Sequence, residues 1–398
     1  KCSSFLVFGK NCIAIGKRTG SISARHLPPI FFQIQEKNFS ESYFKNYLDC
    51  QGEYEMSDLR YDPVKQRWTV IAPERARRPS DFNYNRIPIE DIEDAGDCPF
   101  CPGNEHMTTE EIFSIKNENN EGWLLRVVPN MYPIFKVEGK IERKGVGVYD
   151  KINGIGAHEV IIETPLHNIT LKDYSLKILY NLFYTFKIRM LDLRRDIRFR
   201  YILIFKNYGE KAGATLKHQH SQIIALPVMP KMVTTMLDST KKHYEKKERC
   251  LVCDIIEQEL KEGSRIVYEN FDFVAICPYA SAFPFEVTVY PRKHNHDFAS
   301  IGDQELSSLA DMTREVFIRL NQVLINPALN VLIHSAPPLV ERPEYPGYLK
   351  SLHVDYHWHM EITPRFTSFA GFEGGTGFHI NPVKPEDSAK FLRETHIG

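Results

Sequence analysis

No excess of either charge marks this chain: 50 Lys and Arg stand against 51 Asp and Glu, for a net charge of −1 at pH 7. A nucleic acid or an anionic membrane surface would meet no basic field, and no basic–aromatic groove for nucleic acid can be read from the residues. No apolar run approaches the roughly 20 residues of a membrane span. Cysteine is sparse at 8 in 398 residues, too few and too unevenly spaced for a disulfide scaffold. There is no Walker-type phosphate loop. What remains is a composition of 42% hydrophobic residues, with 25 Phe and 19 Tyr. That describes a soluble cytoplasmic protein with a sizeable core and, by length, about two domains.

The N-terminal stretch stands apart. From Lys1 to Gln35 it has five basic residues and no acid, and no clear periodicity. Residues 1–55 therefore read as an extension, either a basic presequence or a segment foreign to the native chain, with Met56 just ahead of the globular pattern.

From there the chain says nearly the same thing twice. The first copy opens on "CPFC" (98–101) and runs through "LRVVPNMYPIF" (125–135) and "AHEVIIETPLHNITLKDYS" (157–175). After a helical stretch it ends in "YILIFKNYGEKAGATLKHQHSQIIAL" (201–226). The second opens on "CLVC" (250–253), continues from Tyr268 to Glu305, and after another helical stretch ends in "NVLIHSAP" (330–337) and "HVDYHWHMEITP" (353–364). Each copy has a CxxC, a β-rich segment, a Pro-then-His turn, a helix and a strand bearing HxHx(Gln/Glu). Leu179, Leu182, Phe183, Phe186 and Met190 recur at helical spacing, as do Leu306, Leu309, Met312, Val316 and Leu320. Alternating β-branched runs such as "EVIIE", "YILIF", "FEVTVY" and "HMEIT" predict strands. The expected fold is α+β, a tandem duplication of one half with a mainly antiparallel sheet and a principal helix. The halves are placed at 56–235 and 236–398. The Lys- and Thr-rich segment 229–249 is expected to be a linker, and 336–351, with four prolines, a surface loop.

Two CxxC pairs with duplicated histidines predict two metal sites. A tight CxxC turn can aim two thiolates at one ion, and a closed zinc site needs four N or S donors. Cys98, Cys101, His167 and His218 make the first set; Cys250, Cys253, His294 and His357 make the second. His296 competes with His294, which is preferred because Phe298 follows it by four as Leu171 follows His167. Both metals are expected to be structural zinc. Alternation puts His218, His220 and Gln222 on one strand face. If His218 holds metal, His220 is fixed beside it. A neutral imidazole is a competent nucleophile toward phosphorus, and the Gln222 amide can donate to a phosphate oxygen. The preceding loop (206–217) supplies Gly209 and Gly213 for close backbone approach to a phosphate. In the second copy His359 and Glu361 match His220 and Gln222, but no Gly-rich loop precedes them, and His359 is read as a further aid to metal binding.

These motifs, with "LRYDPVKQRWTVIAPERARRPSDF" and "AGFEGGTGFHINPVKPEDSAK" (370–390), resemble the galactose-1-phosphate uridylyltransferase family of the histidine triad superfamily. The resemblance spans about 56–398. It implies the tandem histidine-triad-like fold and ping-pong nucleotidyl transfer through a nucleotidyl-His220, between a nucleoside diphosphate hexose and a sugar 1-phosphate. The expected activity is UDP-glucose–hexose-1-phosphate uridylyl transfer in galactose metabolism. It further implies Arg75 and Arg78 near the nucleotide phosphates, Asn130 at the nucleoside, Asn207, Gly213 and Thr215 in the phosphate loop, Glu373 beside Phe372 at the hexose, and a homodimer. Gln219 replaces a common Pro. Thr367, Ser368 and Phe372 depart from the uridylyl-type pattern. The C-terminal motif and the Cys250/Cys253 site are similar to those of the plant-type ADP-glucose phosphorylase branch. An adenylyl transferase, or a nucleotide-sugar hydrolase of the same superfamily, is therefore the alternative.

Overall fold

A computed structural model describes residues 4–8, 11–15, 56–75, 87, 96–119, 121–339, 347, 349–366 and 370–395. Arg78, Thr367 and Ser368 lie outside them. The chain falls into two units, Lys1–Tyr54 and Glu55–Gly398. In the first, β1 (Ser4–Phe8) and β2 (Asn11–Ile15) pair antiparallel.

The second unit is α+β. It opens with a hairpin, β3 (Asp58–Asp62) and β4 (Arg67–Ile71). The first half follows: β5 (Phe113–Lys116), β6 (Trp123–Pro129), a side hairpin of β7 (Arg143–Val146) and β8 (Tyr149–Ile152), β9 (Ala157–Ile162), helix α1 (Leu176–Leu193), β10 (Tyr201–Tyr208) and β11 (His220–Leu226). Helices α2 (Lys231–Lys247) and α3 (Leu251–Glu262) lead into β12 (Ile266–Glu269), β13 (Phe273–Ile276) and β14 (Val287–Pro291). Then come α4 (Asp303–Leu324), β15 (Leu329–His334), the short α5 (Leu352–Asp355) and β16 (His359–Pro364). The chain ends through α6 (Gly371–Thr376), β17 (His379–Asn381) and α7 (Pro385–Arg393).

The duplication is visible in the pairing. One sheet runs β12-β13-β14-β16-β15-β10-β11-β9-β6-β5. Read from each edge inward, both halves order their five strands first, second, third, fifth, fourth, and β10 meets β15 antiparallel at the seam. The helices obey the predicted period. Ser175 caps α1 by accepting from Ile178 N–H at 3.2 Å, a standard way to satisfy an orphan donor of the first turn. The apolar stripes of α1 and α4 are buried together with Ile161, Ile223 and Met360 on one face of the sheet. Arg189 of α1 reaches down to Glu159 on β9, at 2.8 and 2.7 Å, and so closes that face with a buried ion pair.

Two features differ from expectation. Segment 229–249 is not a loose linker: most of it is helix α2, with Val233, Met236, Leu237 and Thr240 buried. Its many lysines are the solvated face of an amphipathic helix, good helix formers whose composition masks a three-and-four spacing. The β3–β4 hairpin, first in sequence, packs on second-half elements. Thr69 donates to the Ala280 carbonyl and Ser239 to that of Val64, at 3.0 and 2.7 Å, while β17 pairs parallel to β4.

Candidate active site and metal centres

Strand β11 has two faces with different employment. Ser221, pointing under the helices, donates to Glu163, which also takes the Tyr174 hydroxyl and, at 2.9 Å, the Lys206 ammonium. All four are buried. Lys206 additionally donates to the His220 carbonyl at 3.4 Å, so this network anchors the strand from behind. His218, His220 and Gln222 occupy the other face.

The two predicted ligand sets converge. The donor atoms of Cys98, Cys101, His167 and His218 lie within 4.8 Å of one another, as do those of Cys250, Cys253, His294 and His357. In the first, Cys101 Sγ is 3.2 Å from His167 Nδ1 and 3.4 Å from His218 Nδ1. In the second, Cys253 Sγ is 3.4 Å from His294 Nδ1 and 3.5 Å from His357 Nδ1. His296 is not part of that group. His218 Nε2 donates to the Thr164 carbonyl at 2.8 Å, and His357 Nε2 to that of Pro291 at 2.9 Å. A carbonyl only accepts, so each Nε2 carries the proton and each Nδ1 lone pair faces the sulfurs. This is the outer-shell arrangement that orients an imidazole ligand.

The electrostatics also fit a cation. Burial and the neighbouring Cys98 push the Cys101 thiol up to about 11. The Cys253 S–H favours a Cys250 thiolate and is itself pushed up. The second pair thus holds one negative charge readily and a second only beside a cation. Burial pulls His218 down to about 4, leaving it neutral and ligand-ready at pH 7. Both sets could hold a tetrahedral N/S-liganded metal.

His220 is held by two contacts. Its Nδ1–H donates to the His218 carbonyl at 2.9 Å, which leaves the Nε2 lone pair outward. Phe100, from the first CxxC turn, packs edge-on to its ring at 5.3 Å. Burial lowers its pKa, so the ring is neutral at pH 7. The Gln222 carbonyl oxygen lies 2.7 Å from Nε2 of His158, a buried histidine on β9. Asn130 follows β6; its backbone N–H donates to the His158 carbonyl at 2.8 Å, and its amide nitrogen sits 3.1 Å from His158 Nε2.

The glycine loop follows β10. Gly213 is left-handed at φ +90° and Gly209 has φ +84°. A Cβ on Gly209 would come within 2.6 Å of Ile87, so the loop needs glycine there. Asn207 donates to the Gly213 carbonyl at 3.4 Å, and Asn330 of β15 donates to Asn207 and to the Ala212 carbonyl at 2.8 and 2.9 Å. The second half thereby braces the loop of the first. Thr215 is exposed, as is Arg75. Glu373 on α6 is half-buried, and its charge acts on His379 of β17.

Sequence reasoning missed His158, Asn330 and Lys65. A histidine immediately ahead of the predicted strand "EVIIE" was the only available signal for His158. Lys65 lies in the β3–β4 turn and meets Glu361 at 2.5 Å. His334, His359 and Glu361 form a third group of donor atoms among the described residues. The Lys65 ammonium already supplies its positive charge, and His359 is not among the second CxxC group.

Comparison with known proteins follows the same lines. The galactose-1-phosphate uridyl transferase N-terminal domain family matches residues 47–230, and a domain family of unknown function (DUF4921) matches residues 180–394. ADP-glucose phosphorylase of Arabidopsis thaliana is 34% identical over 87% of this chain and 95% of its own length. The chain belongs to the galactose-1-phosphate uridylyltransferase family. A galactose-1-phosphate uridylyltransferase of Thermotoga maritima is 28% identical over 86% of this chain and 99% of that protein. The structure of the Arabidopsis ADP-glucose phosphorylase with bound ADP-glucose superposes with a TM-score of 0.71 at 31% identity, covering 86% of this chain and all of that one. A solved uridylyltransferase gives 0.64 at 26% identity, over 85% of this chain and 97% of its own. Membership makes this protein a nucleotidyltransferase. No helix among the described residues is long and apolar enough to cross a membrane.

Proposed function

We propose that the protein moves a nucleotidyl group from a nucleoside diphosphate hexose to an acceptor through His220. Nε2 attacks the phosphorus bearing the nucleoside; an N–P bond forms and the bond to hexose 1-phosphate breaks. The acceptor, a sugar 1-phosphate or inorganic phosphate, then attacks that phosphorus and frees His220. The observation that carries this reading is the pairing of an outward Nε2 lone pair with a Gln222 amide two residues along the same face. Asn207, Gly213 and Thr215 border the phosphates. Arg75 and Arg78 meet them from the chain preceding β5, Asn130 meets the nucleoside, and Glu373 takes the hexose hydroxyls. Zinc in the two Cys2His2 sets would brace His218 and His357 without touching substrate.

Adenylyl transfer from ADP-glucose to phosphate is the first reading of the donor. The 34% identity to the Arabidopsis phosphorylase supports it, as does a second site built on Cys250 and Cys253. Uridylyl transfer between UDP-glucose and galactose 1-phosphate is the second. The uridyl transferase domain match over residues 47–230 favours it.

Intact-mass spectrometry after mixing with either donor, without acceptor, separates the readings. An AMP-sized adduct absent from His220→Asn supports the first, and a UMP-sized adduct the second. An adduct that survives in His220→Asn removes His220 from the mechanism.

A further inference from the structure

Gln222 can assist only if it presents its NH2, and not its carbonyl oxygen, to the phosphoryl group. An amide rotated by half a turn would set oxygen against oxygen. Nothing in the Gln side chain itself chooses between the two, so the choice must come from a neighbour whose own donor and acceptor ends are fixed.

The structure supplies such a chain of constraint. The backbone N–H of Ile134 donates to His158 Nδ1 at 3.2 Å. A backbone amide can only donate, so Nδ1 must be the unprotonated nitrogen. Nε2 then carries the proton, and it lies 2.7 Å from Gln222 Oε1. The Gln222 oxygen is thereby engaged, and its NH2 is left for the His220 side of the strand. The sheet register makes the contact possible: Gln222 stands opposite Val160 on β9, and His158 is the diagonal neighbour two residues along on the same face. His158 is 6% exposed, so bulk water does not compete for its proton. Asn130 is tied into the same corner: its side-chain oxygen accepts from the Tyr132 N–H at 2.9 Å, its backbone N–H donates to the His158 carbonyl, and its amide nitrogen is a second donor 3.1 Å from Nε2, so the Nε2 proton goes to the shorter contact with the Gln222 oxygen. The turn that would meet the nucleoside and the amide that would meet the phosphate thus share one imidazole.

We propose that His158 is a positioning residue: with its tautomer set by the Ile134 N–H, it holds the Gln222 amide in the orientation that donates to the transferring phosphoryl group. This rests on the reading of Gln222 given above. It makes the effect of His158 on the phosphoryl-transfer step pass through Gln222, and that is what distinguishes it from a buried residue needed merely for packing.

The test is a double-mutant cycle on the rate of nucleotidyl-enzyme formation in a single turnover, with whichever donor gives the wild-type adduct. His158→Phe should slow that step roughly 10- to 100-fold, the range seen when an outer-shell partner is removed. In a Gln222→Ala background the same change should cost less than about 2-fold, because the amide it orients is gone. His158→Gln, whose amide can accept from Ile134 and donate to Gln222, should recover most of the rate. Thermal midpoints and metal content check that each variant is folded. Equal losses in both backgrounds, or no loss in either, overturn the proposal. The 15N shifts of the His158 ring in the resting enzyme provide a readout independent of turnover. An Nε2–H tautomer is expected, and an Nδ1–H tautomer overturns the assignment. If Gln222→Ala alone leaves the rate unchanged, it is the role of Gln222 in the proposed function that fails, while the tautomer result still stands or falls separately.

Discussion

Strands β11 and β16 carry the same pattern and end in different surroundings. Both begin after a metal-facing histidine whose carbonyl accepts from the next histidine's Nδ1–H, at 2.9 Å for His220 and 3.3 Å for His359. Both follow a histidine whose Nε2 is bonded to a carbonyl. Beyond that they part. On β11 the third position is Gln222, held by a neutral histidine. On β16 it is Glu361, buried beside His334 and His359 at 3.5 Å each and paired to Lys65. Around the second site, helices α2 and α3, Val64 of the β3–β4 turn and Tyr290 form a buried cluster. Around the first, the glycine loop stands exposed. A carboxylate is acceptor-only, so Glu361 can offer a phosphate oxygen nothing. The comparison teaches that the duplicated CxxC-and-histidine frame is kept where the polar residue beyond it is not. On the proposed function, a metal held by either CxxC-and-histidine set would stabilise its strand, whereas the residue two beyond the position of His220 would decide whether that strand can handle phosphate.

The largest effect should come from exchanging that residue. Gln222→Glu should slow nucleotidyl transfer by about 100-fold or more, since a donor to the developing charge becomes an acceptor. The reciprocal Glu361→Gln should leave the transfer rate within a factor of about 2. It should instead destabilise the fold by about 2 kcal/mol, because the buried Lys65 ammonium loses its closer carboxylate and is left to Glu286 at 3.6 Å. Single-turnover rates and urea midpoints measure the two. If Glu361→Gln slows transfer as much as Gln222→Glu, the halves are not functionally separate.

Next in size are the metal frames. Cys98→Ser and Cys250→Ser should each remove one of two metal ions, counted by elemental analysis, and each should lower the thermal midpoint. Only Cys98→Ser should also slow transfer, by roughly 10-fold, through loosened His218 and Phe100 beside His220. Equal slowing by both would mean that the second frame supports the site as well.

The smallest effect tests the bridge between halves. Arg194, just beyond α1, donates to Asp297 of the second half at 2.6 Å. Burial alone would favour the neutral acid, but the Arg194 guanidinium outweighs it and holds the Asp297 carboxyl below its usual range. A carboxyl lowered on folding contributes stability that is full above the ordinary Asp value near about 4 and lost as pH falls through its lower folded value. Asp297→Asn should therefore cost about 2 kcal/mol at pH 7, and the gap to wild type should close at acid pH below that of free Asp. A gap independent of pH would assign the loss to packing.

Sequence by itself determined the elements whose signals are periodic or repeated: the two helices at three-and-four spacing, the alternating strands, the two CxxC-and-histidine sets and the shared face of His218, His220 and Gln222. These are properties of spacing along one chain, and a regular helix or strand converts spacing into direction without reference to the rest of the molecule. Segment 229–249 escaped because composition outweighed a weak period. What only the tertiary structure decided are the pairings across long separations: Lys65 with Glu361, Asn330 with the glycine loop, and His158 with Gln222. Each joins residues far apart in sequence, and each depends on which strand lies beside which and in what register. A one-residue slip of β9 against β11 would turn His158 to the helix-covered face and leave Gln222 without its partner.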